Sequence, residues 1–162
     1  MNLESGGAKA FHRIGSFPPV TVDRRLKDGD TVQLGGTTLT AHLMPGHTEG
    51  NTAWTTTVEE NGQRRGVLIA PSMSINPGVK MVNNPAWPGV ADAYAASFKR
   101  LRGMRCEIFL GPHAGFFQLE AKRKRQQAGA ADSFVDPEGY VSFLDDLEKK
   151  YQAQVQRERA GG

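Results

Sequence analysis

Two histidines stand in settings suited to chemistry. His47 lies in Pro45-Gly46-His47-Thr48-Glu49-Gly50-Asn51-Thr52, and His113 lies in Gly111-Pro112-His113-Ala114-Gly115. Each follows an apolar, β-like run and is preceded by a Gly and Pro pair. Such a turn fixes the backbone at a strand end and leaves an imidazole nitrogen free for a metal, and zinc is the metal this arrangement suits best. The competing reading is a histidine that only hydrogen-bonds its own turn, and for each residue taken singly that reading stays open. His42, inside the apolar run Leu39–Met44, reads as a satisfied strand histidine, and His12 in a polar loop carries no signal.

Other reactive groups are sparse. Cys106 is the single cysteine, so no intrachain disulfide can form. It opens the run Cys106-Glu107-Ile108-Phe109-Leu110 and reads as a small buried hydrophobe, with a catalytic thiolate as the sharper alternative. The basic run Lys122-Arg123-Lys124-Arg125 reads as the solvated face of a helix. It lacks interleaved aromatics, and a net charge of +3 over 162 residues adds no case for a nucleic-acid partner. No run reaches the length of a membrane span, and Met1–Gly7 has neither the basic start nor the apolar core of an export signal.

The elements that must position the histidines can be read locally. Thr31–Leu34 and Thr37–Leu43 flank Gly35-Gly36, a hairpin signal because the turn needs positive φ. Thr52–Val58 and Arg65–Ile69 flank Asn61-Gly62 in the same way, which puts His47 in the connection between two hairpins. After Pro88, the residues Val90, Tyr94, Phe98 and Leu101 form one apolar helical stripe, and Gly103 is placed to end it. Cys106–Leu110 reads as a buried strand, followed by a helix from about Phe116 to Gln127. A last helix has Asp136 as N-cap, Pro137 at its first position and a face of Tyr140, Leu144, Leu147, Tyr151 and Val155. Residues 1–19 read as a loop-rich start and 157–162 as a frayed tail. With 38% hydrophobic residues the chain can bury a core, and its fold class is mixed α/β: antiparallel hairpins, then strand and helices.

The stretch from Asp28 through Leu34-Gly35-Gly36 to Met44-Pro45-Gly46-His47-Thr48 resembles the metallo-β-lactamase fold. The resemblance continues through Pro71-Ser72-Met73-Ser74-Ile75-Asn76-Pro77-Gly78, Gly111-Pro112-His113-Ala114-Gly115-Phe116-Phe117 and Phe134-Val135-Asp136-Pro137-Glu138-Gly139-Tyr140. It covers nearly the whole chain in consistent order and is strongest to the third subclass, the dizinc enzymes that hydrolyse penicillins, cephalosporins and carbapenems. The resemblance implies the C-terminal part of an αββα sandwich, with His47 on the first zinc and His113 on the second. It implies that Ser72 and Ser74 bind the carboxylate of a β-lactam, for which paired hydroxyl donors are suited. Trp87 and the Asn83-Asn84-Pro85 loop either border that cleft or pack beneath it. The nucleophile implied is a metal-bound water rather than a protein side chain, and the address implied is the bacterial periplasm.

One departure matters. The family's His-x-His-x-Asp-His segment, source of four of six metal ligands, does not occur in this sequence. The expectation is therefore a partial domain over residues 1–162, silent by itself and prone to aggregate. Two other readings accompany it. One is a related hydrolase acting on a lactone or thioester, and the other is a non-catalytic half-domain that works only through a partner.

Overall fold

The structure is a computed structural model and describes residues 18, 20–60 and 62–161. Apart from residue 18, the loop-rich start and the first residue of the Asn61-Gly62 turn lie outside those residues. Strands β1 (Thr31–Leu34) and β2 (Thr37–Leu43) pair antiparallel, with Leu34 opposite Thr37. Gly35 and Gly36 both have positive φ, 55° and 81°, as a two-residue turn of this kind demands. Strands β3 (Thr52–Glu60) and β4 (Gln63–Ile69) form the second hairpin, with Glu60 opposite Gln63. Each strand of this pair is two residues longer at the turn than the residue pattern indicates.

Helix α1 (Val90–Arg102) follows, then the short strand β5 (Ile108–Leu110), which pairs parallel to β4. The sheet order is β1-β2-β3-β4-β5. β5 starts two residues later than the apolar run suggests. A 3-10 turn over Ala114–Phe117 and helix α2 (Leu119–Gln127) come next. The single helix expected from Phe116 is broken at Gln118, whose φ of 54° interrupts any right-handed helix. Helix α3 (Pro137–Ala160) is capped by Asp136, whose Oδ1 accepts from the Gly139 amide at 2.8 Å. It continues through residues 157–160, where a frayed tail was expected, because Glu158 is tied into the body of the protein by hydrogen bonds from elsewhere in the chain.

Helices α1 and α3 pack on one face of the sheet. The apolar stripe Val90, Tyr94, Phe98 and Leu101 is fully buried there against Leu68, Phe109, Leu144 and Tyr151. Tyr94, Phe98 and Tyr151 form a ring cluster with centroids 5.5–6.3 Å apart. Strand side chains alternate, so the neighbours of Leu68 and Phe109 point the other way. That second face carries Val32, Leu39, Leu43, Trp54, Ile69 and Leu110, none of which joins the helix-packed core. Among the described residues no helix covers it, and Leu34 at its edge is 85% exposed.

The basic run is not uniformly solvated. Lys122 is buried, and its Nζ lies 2.8 Å from Asp136 Oδ2, while Arg123, Lys124 and Arg125 are exposed. A charge at that depth persists because its partner lies across the interface, on the residue that caps α3.

Candidate metal centre and serine loop

Strand direction gathers the candidate residues. β2, β4 and β5 run the same way, so their C-terminal ends share one edge of the sheet. The segments leaving those ends carry His47, Ser72 with Ser74, and His113 in turn.

The His47 turn is closed by its own backbone. Met44 N donates to Asn51 O at 2.8 Å, and Gly46 N donates to Thr48 O at 3.1 Å. His47 Nδ1 lies 2.6 Å from the Ser74 carbonyl oxygen. A carbonyl only accepts, so Nδ1 carries the hydrogen and Nε2 keeps its lone pair for a ligand. The same carbonyl accepts from Tyr94 Oη at 2.8 Å. Burial pushes the Tyr94 phenol well above its ordinary range, so it stays a donor. Gly46 lies flat on that ring: a Cβ there would meet Tyr94 atoms at 3.1–3.3 Å. Ser97 Oγ, also buried, donates to Pro45 O at 2.7 Å. The turn is thus bonded to α1 through Ser97 and to the serine loop through His47, and its Gly46 packs on the Tyr94 ring.

The serine loop leaves β4 through Ala70, whose amide still reaches Leu110 O at 2.8 Å. Ser72 Oγ and Ser74 Oγ share one hydrogen bond of 3.0 Å, so the pair holds a spare donor hydrogen. Asn51 Nδ2 donates to Ser72 O at 2.7 Å, a second tie between the loop and the His47 turn. Farther on, Glu158 Oε2 accepts from the amides of Met81 and Val82 at 2.7 and 2.8 Å, and Gln154 Nε2 donates to Val79 O at 2.8 Å. Burial alone would raise the Glu158 carboxyl, but these donors together hold it below its ordinary range. Asn84 Oδ1 accepts from the amides of Ala86 and Trp87, and Trp87 packs half-buried against the core. The packing reading of that tryptophan is the one the contacts support.

His113 sits differently. It is exposed in extended backbone at the start of the 3-10 turn, with its ring set edge-on to Phe116 at 5.1 Å between centroids. No described residue hydrogen-bonds its ring nitrogens. His42 is the satisfied strand histidine its position indicates: Nε2 lies 2.8 Å from Thr55 Oγ1, and burial, with Arg100 beside it, lowers its pKa. Cys106 is half-buried and its thiol is pushed up to about 11 by burial, so it is no thiolate nucleophile.

Among the described residues, no three His, Cys, Asp or Glu side chains form a group that could hold a metal ion. A catalytic zinc takes three protein ligands and a water. One imidazole at each of two positions does not meet that requirement, so the residues present do not make a complete zinc site. Two contributions were not legible as functional in the sequence. Tyr94 reads there only as part of a core stripe, and Glu158 falls in the expected frayed tail, with Gln154 unmarked by any motif.

The sequence matches no protein-family model. Among curated proteins, a stretch of 52 residues is 44% identical to a protein named hydroxyacylglutathione hydrolase from Hyphomonas neptunium, covering 32% of this chain and 20% of that one. Solved structures match over far more of the chain. The native FEZ-1 metallo-β-lactamase from Legionella gormanii is 40% identical with a TM-score of 0.92, over 97% of this chain and 62% of that one. BJP-1, a subclass B3 metallo-β-lactamase of Bradyrhizobium japonicum, is 35% identical with a TM-score of 0.88, over 98% and 61%. LRA-12, a class B3 di-zinc metallo-β-lactamase from an Alaskan soil metagenome, is 32% identical with a TM-score of 0.83, over 94% and 59%. The chain therefore spans about three fifths of the length of the solved proteins it matches. In fold, this chain matches a portion of the metallo-β-lactamase structures, and in sequence it is similar to the subclass B3 proteins among them.

Proposed function

We propose that this chain supplies one part of a β-lactam hydrolase, with His47 and His113 as its share of a zinc centre and Ser72 with Ser74 as its grip on the substrate carboxylate. By itself it is silent. The observation that carries the reading is the bond from His47 Nδ1 to Ser74 O. It couples the candidate ligand to the candidate substrate loop, so that one backbone oxygen orients the imidazole while the neighbouring hydroxyls face an anion. The cofactor this reading requires is zinc, and its cellular address is the periplasm. Among the described residues no helix is long and apolar enough to cross a membrane.

The test is complementation. The 162-residue chain is co-expressed with the remaining two fifths of a subclass B3 relative, and zinc content and carbapenem turnover are measured. Two zinc ions per complex, chelator-sensitive turnover, and loss of both in His47→Ala support the reading. Turnover by the chain alone would overturn its silence, and a folded complex without zinc would overturn the ligand assignment.

A second reading has one observation in its favour, the match to the protein named hydroxyacylglutathione hydrolase. Under it, the same scaffold serves a lactone or thioester substrate and the serines only cap their loop. The complemented enzyme decides: an acyl lactone or a hydroxyacylglutathione turned over in preference to a carbapenem selects this reading. Loss of carbapenem turnover in Ser72→Ala with Ser74→Ala selects the first.

A further inference from the structure

A groove of about 370 Å³ opens between the serine loop and α3. Met73, Ser74 and Ile75 form one wall, Leu147 and Tyr151 the other, and Phe116 closes one end. The floor is apolar: Met73, Leu147 and Tyr151 are buried core residues whose groove-facing atoms complete it. The rim is cationic. Lys150 and Arg157 lie on the same face of α3, two helical turns apart, roughly 10 Å at 1.5 Å per residue. No carboxylate lines the groove, and neither cation has an acidic partner among the described residues. Of the acids nearby on α3, Asp146, four residues before Lys150, does not line the groove, and the others are engaged. Glu158 is held by the amides of Met81 and Val82 and by Gln154, and Asp145 and Glu148 by Arg102.

An apolar floor under an unpaired cationic rim is complementary to an amphipathic anion. We propose that this groove binds a small free carboxylate with an apolar body, of the medium-chain alkanoate or arylalkanoate class. The body would lie on Met73, Ile75 and Tyr151, and the carboxylate would meet Lys150 and Arg157. The volume, near the lower end of small-molecule sites, suits a ligand of that size. The occupant would also touch Ser74, whose carbonyl orients His47, so its presence is readable at that imidazole. The proposal concerns binding alone, so failure of the complementation experiment would leave it untouched.

Octanoate is titrated into the isotopically labelled 162-residue chain and the amide and imidazole resonances are followed, with spectral dispersion verifying that each variant is folded. The expected result is saturable binding that shifts residues 73–75 and the His47 ring. Octanamide should bind about tenfold more weakly, because it has the same body without the charge. The double variant Lys150→Gln, Arg157→Gln should lose about the same factor for octanoate and nothing for octanamide. Ala153 also lines the groove, and Ala153→Trp, which fills it, should abolish both. Equal affinity for acid and amide, undiminished binding in the double variant, or no saturation would overturn the proposal. So would shifts centred on Leu39, Trp54 and Ile69, which would place the ligand on the bare sheet face. A response that follows protein concentration instead would assign the groove to a second copy of the chain and overturn it as well.

Discussion

The turn after β2 hangs His47 from a backbone carbonyl that a buried tyrosine also holds, whereas the turn after β5 leaves His113 exposed with one phenylalanine edge beside its ring. Both leave the same edge of one sheet, so strand geometry does not explain the contrast. The difference lies in what each turn touches. His47 is bonded through Ser74, Asn51 and Pro45 to two other segments of the chain. The support of the His113 turn comes from below, where Lys122 on α2 reaches Asp136 at the head of α3 and lies 6.0 Å from the Phe117 ring centre. One imidazole therefore has its tautomer and direction set within this chain. The other has its backbone position set and one ring contact, with no hydrogen bond among the described residues to direct its imidazole.

The sharpest way to break the contrast is to remove the brace under His47. Tyr94→Ala should cost about 3–5 kcal/mol, read from the urea midpoint, by opening a core cavity and removing one of the two donors to the Ser74 carbonyl. A loss no larger than that of Phe116→Ala, whose side chain is only half-buried, would show that the two turns are equally independent of the core. Next in size, Lys122→Ala should cost about 2–3 kcal/mol. That is less than a fully buried pair would lose, because Asp136 keeps 28% of its side chain exposed. If Lys122→Ala changes the thermal midpoint by no more than Arg123→Ala does, the support assigned to the His113 turn is absent. The smallest effect is also the most specific comparison. Gly46→Ala should cost about 1–3 kcal/mol, because its Cβ presses on the Tyr94 ring. Gly115→Ala, which meets nothing within 4 Å, should stay within about 0.5 kcal/mol of the parent in the same urea titration. Equal costs at the two glycines would remove the distinction.

Local features were legible in the sequence, and features made by distant contacts were not. The two hairpins and the α1 stripe follow from turn glycines and helical spacing, each decided within a dozen residues. The brace on His47 joins residues from three separate segments, and no local pattern marks a backbone carbonyl as its acceptor. Lys122 sits in a run of four basic residues and takes its distinction from Asp136, which lies beyond the end of its own helix. Gln118 carries no glycine or proline to announce its left-handed backbone. The last turn of α3 persists because Glu158 serves amides in the segment after the serine loop. His113 was legible as a position, from Gly-Pro ahead of it, and that no described residue hydrogen-bonds its ring was not.

The parallel pairing of β5 with β4 also sets an order of assembly. Hairpins close between near neighbours, but β4 meets β5 only after the intervening chain has left the sheet, formed the serine loop and α1, and returned. Loops of that length close late, since their entropy is lost before any pairing is gained. The segment bearing His47 should therefore take shape early, and the segment bearing His113 last. Pulse-labelled hydrogen exchange during refolding reads this directly: amides of β2 and β3 should gain protection before those of β5, and simultaneous protection would refute it. A chain halted partway through folding would already present the connection that carries His47, while the turn that carries His113 would still be unformed.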